Sequence, residues 1–270
     1  MGTTRNATTQ EAGRPRRPAI LTFNAWTPRT ASLVAGTALA LLAVLAGFGF
    51  GAIMPLVTPG DAAATARDIS AARPLFLAGI AGMLAVSILD LIVAGARYTL
   101  FKPVNPLVSA LAGWARVVFA GVFMVAIGRL VSGYLLLDRP TEALQAIEQF
   151  SVIWEIVLGL FGIHLLLVGY LAYRSGFMAR IFGILLVIAG IGYLADALGT
   201  VFVDGFTAVF RQFLFVGEVV LIFWLLIRGR RLTPGERQGT VEADRMSPVG
   251  HARANADAAR TWSGDGRRPV

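Results

Sequence analysis

The chain has 270 residues, 56% of them hydrophobic, with a mean hydropathy of +0.68 and a net charge of +8. That much apolar sequence exceeds what an ordinary soluble domain carries, and it comes in blocks rather than stripes, so a polytopic helical membrane protein is expected. The absence of cysteine excludes disulfides and thiolate chemistry, and the two histidines, His164 and His251, exclude a three-histidine metal site. The positive charge is nearly all arginine and gathers in tails and loops, where it matches an anionic cytoplasmic leaflet better than a nucleic acid. Arginine in place of lysine, with abundant alanine and glycine, fits a GC-rich bacterial genome.

Residues 1–28 are polar and basic and read as a disordered cytoplasmic tail. The membrane domain is expected over 29–231, with six spans at about 32–56, 74–98, 106–137, 150–172, 178–202 and 208–227. The first span holds Gly47-x-x-x-Gly51, a spacing that lets a neighbouring backbone approach closely. Pro55 and Thr58-Pro59-Gly60 end it. Asp61 is placed to cap a short surface helix rich in alanine, before Pro74 opens the second span. Arg97, Lys102 and Asn105-Pro106 form a tight basic turn into the third span. The next loop, 138–149, is acidic, with Asp138, Glu142 and Glu148. A turn holding Arg174, Ser175 and Gly176 joins spans four and five, and Asp204-Gly205 precedes the sixth. Residues 232–270 read as a second disordered cytoplasmic tail. Basic residues without acids fill every second loop, so six spans with both termini in the cytoplasm of a bacterial inner membrane satisfy the positive-inside rule.

Three segments carry a resemblance: PGDAAATARDI before the second span, FKPVNP before the third, and above all GIHLLLVGYLAYRSGFMARIFGILL with GYLAD behind it. Over roughly 31–231 the chain resembles a bacterial membrane-protein family known only as domain-of-unknown-function family 4386. The resemblance implies a six-helix bundle and no activity. Asp90, Arg116, His164, Tyr170, Arg174, Asp196 and Glu218 fall in family-like segments and serve as landmarks.

Ionisable residues inside the spans are the informative feature. Each costs about 2.5–3.5 kcal/mol at a helix centre, so such groups must converge inward. At ~1.5 Å per residue, Asp90 and His164 lie about 12 Å from the cytoplasmic ends of their spans and Arg116 about 15 Å. These three share a layer, and a buried Asp90–Arg116 pair is expected across the tight turn joining their spans. A second layer nearer the outside holds Arg129, Glu155, Asp196 and, at its mouth, Arg211, while Glu218 sits near the midplane. Glu155 and His164 are half a helical turn out of phase, so no continuous polar wire runs through that span. Tyr170, Tyr173, Trp154 and Trp224 read as interface anchors.

Three functional readings follow. The leading one is a non-enzymatic bundle whose polar cavity (Asp90, Arg116, His164, Asp196, Glu218) binds a small molecule, lipid or proton, in a transporter-like or sensory role. The alternative is a structural or partner-binding protein whose buried charges set helix register. The third is a membrane enzyme acting on lipid, with His164 and an acid as base and partner. No phosphate loop, HExxH or GxSxG motif is present, and no cofactor or metal is expected. His164, Asp196 and Glu218 could supply a metal, but on separate helices they have no diagnostic spacing. The expected partners are the lipid bilayer and a small-molecule or lipid ligand, with no nucleic acid.

Overall fold

Apolar blocks bounded by proline, glycine and side-chain caps become helices throughout the computed structural model, which describes residues 26–207, 219 and 221–229. The elements are α1 (Pro28–Ile53), continued by a 3₁₀ turn to Leu56, then α2 (Ala62–Ala71), α3 (Arg73–Phe101), α4 (Pro106–Leu135), α5 (Pro140–Arg174) and α6 (Arg180–Phe202). Five of these helices are long and apolar enough to cross a membrane: α1 with its 3₁₀ turn, α3, α4, α5 and α6. Most of the sixth expected span, with Arg211 and Glu218, lies outside the described residues, as do the terminal tails with His251. Within that span, 221–227 is helical.

Local chemistry sets the boundaries. Pro28 opens α1 behind Thr27, whose side chain accepts from the Thr30 N–H. Asn105 caps α4 by accepting from the Val108 N–H at 3.0 Å. Asp61 caps the surface helix α2 by accepting from the Ala64 N–H at 2.9 Å, as its sequence predicts. Thr65 ties the preceding turn down, accepting from the Thr58 N–H and donating to its carbonyl. Asp61→Ala is expected to weaken α2 by about 1 kcal/mol, read as faster amide exchange over 62–66 with α3 unchanged.

The acidic segment 138–149, expected as a loop, is helical from Pro140 onward. α5 starts at Pro140 and runs 35 residues, about 52 Å at 1.5 Å per residue, well beyond a bilayer core of about 30 Å. Ala143, Ile147 and Phe150 recur on one face and are buried, and that apolar periodicity outweighs the charge of the segment. The protruding turns pack against α2, whose Ile69 joins Ile147, Phe150 and Phe76 in one core. The extension also relocates Trp154. It lies inside the helix and packs among Phe50, Phe119 and Phe123, with ring centroids 5.2, 6.3 and 4.8 Å away, rather than anchoring at an interface. Tyr170 and Tyr173 are exposed near a helix end.

Glycine sets the closest helix contacts, though not at the Gly47-x-x-x-Gly51 motif. Both of those residues face open space, whereas Gly49 between them meets Met83 and the Gly79 carbonyl of α3. The tightest seam joins α5 to α6. There a Cβ on Gly162 would lie 2.7 Å from the Gly190 carbonyl, and one on Gly183 would lie 2.7 Å from the Gly169 carbonyl.

The two ends of the bundle differ in charge. Phe101 stacks on Phe177 at 5.9 Å, Phe177 lies 6.0 Å from Trp224, and the Ser32 hydroxyl donates to the Leu225 carbonyl at 3.0 Å. These contacts gather the start of α1, the α3–α4 turn, the α5–α6 turn and the 221–229 stretch at one end. Among the described residues that end carries Arg29, Lys102, Arg174, Arg180 and Arg228 and no acid. The opposite end mixes Asp61, Asp68, Asp138, Glu142, Glu148 and Asp204 with Arg67, Arg73 and Arg139. The ion pairs Arg67–Asp68 and Arg139–Glu142 at this end are solvent-exposed and contribute little to stability.

Candidate functional site

Four ionisable side chains from three helices meet in the half of the bundle nearer the basic end. Asp90 and Arg97 lie on α3, Arg116 on α4 and His164 on α5, each less than 5% exposed. Asp90 and Arg97 are seven residues apart and so share a helix face. The expected Asp90–Arg116 pair is present, with Arg116 Nη2 on Asp90 Oδ1. His164 joins them: Arg97 Nη1 lies 2.9 Å and Arg116 Nη1 3.3 Å from its Nε2. Its Nδ1 lies 2.8 Å from the Ala112 carbonyl oxygen.

These partners determine the state of the imidazole. A carbonyl only accepts, so Nδ1 carries the hydrogen and donates it to Ala112. A guanidinium only donates, so Nε2 offers its lone pair to the two arginines. His164 is therefore a neutral ring acting as a shared acceptor. A second proton on Nε2 would face two cations and has no acceptor in this arrangement.

Aromatic rings close the cluster towards the middle of the bundle. The Arg116 guanidinium lies 5.3 Å over the Phe161 ring, and Phe161 stacks on His164 at 5.8 Å. Phe119 packs on Phe161 at 5.0 Å, and Tyr193 meets Phe161 edge-on. Towards the basic end, the space beside Arg97, Ser109 and His164 is too small to admit a water molecule. Within the cluster, Asp90 Oδ2 and Arg116 Nε are buried and have no hydrogen-bond partner among the described residues.

Of the residues singled out in the sequence, Asp90, Arg116 and His164 come together. Asp196 is buried on α6, while Arg129 on α4 and Glu155 on α5 are half-buried. The sequence places Arg97 in the basic turn, because the second span is expected to end near Tyr98. The helix continues to Phe101 and carries Arg97 inside the bundle. The seven-residue spacing from Asp90 is the signal that could have found it. Among the described residues, no group of three or more His, Asp or Glu side chains could hold a metal ion.

Membrane-length apolar helices packed around a buried charge cluster define a multi-pass integral membrane protein. The chain belongs to the family described as Domain of unknown function (DUF4386), whose model matches residues 34–229. It is also similar to an uncharacterized protein of the archaeon Archaeoglobus fulgidus, with 36% identity over 154 residues, covering 57% of this chain and 85% of that one. No solved structure matches the chain.

Proposed function

We propose that the chain is a non-catalytic component of the cell membrane, structural or partner-binding, in which the buried cluster is a clasp that sets the register of α3, α4 and α5. The basic end faces the cytoplasm, in keeping with the positive-inside rule. The observation that carries this reading is the saturation of His164. Both ring nitrogens are engaged and no water fits beside the ring. A catalytic base needs a free lone pair within reach of substrate, and a proton relay needs a nitrogen that can exchange. Neither requirement is met, so the arrangement favours the structural alternative over a lipid enzyme or a proton-exchanging histidine.

The clasp predicts a stability effect without a transport effect. His164→Ala removes the acceptor that two buried guanidinium groups share and is expected to cost roughly 1–3 kcal/mol, measured by unfolding of the purified chain in detergent. In liposomes holding a pH gradient and a pH-sensitive dye, wild type and variant are expected to leak protons no faster than empty vesicles.

Asp90 Oδ2 supports a second reading, in which the carboxylate accepts a proton or a small hydrogen-bond donor. Proton flux through the wild-type chain that Asp90→Asn abolishes would establish that reading and displace the first.

A further inference from the structure

Away from the clasp, the basic end of α5 and α6 carries two concave surfaces that meet at Tyr173. The first is a polar hollow of about 620 Å³ at the α5–α6 turn, lined by Arg174 and Arg180 together with Gly176 and Met178. The second is an apolar groove of about 280 Å³ on the outward face of the two helices, between Tyr170 and Tyr173 on α5 and Ile184 and Ile188 on α6. We propose that hollow and groove together bind one anionic phospholipid, its phosphodiester between Arg174 and Arg180 and an acyl chain along the groove.

Each half of the site has a cause in the sequence. Gly169 and Gly183 bring the two backbones into contact and put no side chain of their own on the seam, where Val187 forms the floor of the groove. The ridge that would fill the space between the tyrosines and the isoleucines is therefore missing. All four of those flanking side chains are exposed on the lipid-facing surface. The turn itself is tied down: the Ser175 hydroxyl donates to the Ala172 carbonyl at 2.8 Å and accepts from the Met178 N–H at 3.2 Å. Gly176 takes a φ of 70°, which reverses the chain tightly. Arg180 lies over the Tyr173 ring at 5.6 Å, which holds its guanidinium at the junction of hollow and groove.

Charge selects the headgroup. Guanidinium groups pair with phosphate oxygens in a planar fork, and no carboxylate among the described residues at this end competes for them. A zwitterionic choline headgroup would bring its own cation against the two arginines, whereas a phosphatidylglycerol headgroup brings none. The continuous apolar groove points to a lipid rather than a free anion, since a soluble phosphate has nothing to lay there.

The test uses the full chain in detergent, titrated with phosphatidylglycerol or phosphatidylcholine and read by native mass spectrometry and by the unfolding midpoint. Wild type is expected to prefer phosphatidylglycerol by on the order of tenfold. Arg174→Gln with Arg180→Gln is expected to abolish that preference. Ile188→Trp, which fills the groove, is expected to weaken both lipids while keeping the preference. Lys102→Gln, at the same end but outside the hollow, is expected to change neither. Equal binding of the two lipids by wild type, or a preference that survives the double arginine variant, would overturn the proposal. Inorganic phosphate raising the midpoint as much as phosphatidylglycerol does would also overturn it, in favour of a soluble anion. Should the double variant fail to fold, Ile188→Trp carries the test: phosphatidylglycerol binding unaffected by the filled groove refutes the site.

Discussion

Arg116→Leu is expected to destabilise the bundle by about 3–5 kcal/mol, the usual cost of leaving one member of a buried ion pair without the other. Arg116 is 1% exposed and holds Asp90, which is also 1% exposed. Asp90 Oδ2 already has no hydrogen-bond partner among the described residues. Loss of the guanidinium would remove the cation from Oδ1 as well. The double variant Asp90→Leu with Arg116→Leu should lose less than Arg116→Leu alone. Removing both members of the pair leaves no carboxylate buried without its cation, and Arg97 still donates to His164. Denaturant unfolding of the wild type, both single variants and the double variant forms a complete cycle. Additive losses would show that the two groups do not act as a pair and would remove the clasp.

Gly190→Leu is expected to cost about 3 kcal/mol, at the upper end of what overpacking a tight contact costs. A Cβ at Gly190 would lie 2.7 Å from the Gly162 carbonyl oxygen of α5. That neighbour is backbone and cannot swing aside, so the whole helix must move. The reciprocal contact, from Gly162 to the Gly190 carbonyl, has the same length. Gly47→Ala and Gly51→Ala provide the control, since nothing lies within 4 Å of a Cβ at either position. They are expected to be neutral or to stabilise by up to about 1 kcal/mol through helix propensity. Thermal unfolding in detergent separates the two classes. Equal tolerance at Gly190 and Gly47 would show that α5 and α6 are not held at backbone contact.

Neither effect can be ranked from residue type or motif alone. Gly47 and Gly51 form the recognised small-residue spacing yet face outward, while Gly49, Gly162 and Gly190 make the contacts. Helical phase relative to a partner decides which glycine matters, and one helix viewed by itself does not contain that phase. The cluster divides similarly. Asp90, Arg116 and His164 could be placed in one layer by counting residues from the ends of their spans. The joining of Arg97 to His164 depends on where α3 stops, which is three residues beyond the boundary the sequence suggests. Acidic residues make segment 138–149 resemble a loop, although Ala143, Ile147 and Phe150 keep helical time from Pro140 onward.

By itself the sequence determined that the chain is helical and crosses a membrane several times, because hydrocarbon requires every backbone polar group to be satisfied within its own segment. It also determined which side chains could not face lipid, because the cost of a charge there is a local property. The tertiary structure alone decided what those side chains do. His164 became a neutral acceptor because a carbonyl from α4 and two guanidinium groups, one from α3 and one from α4, arrived at its two nitrogens. The state of such a ring belongs to its partners, and those come from helices 48 to 67 residues away in the chain.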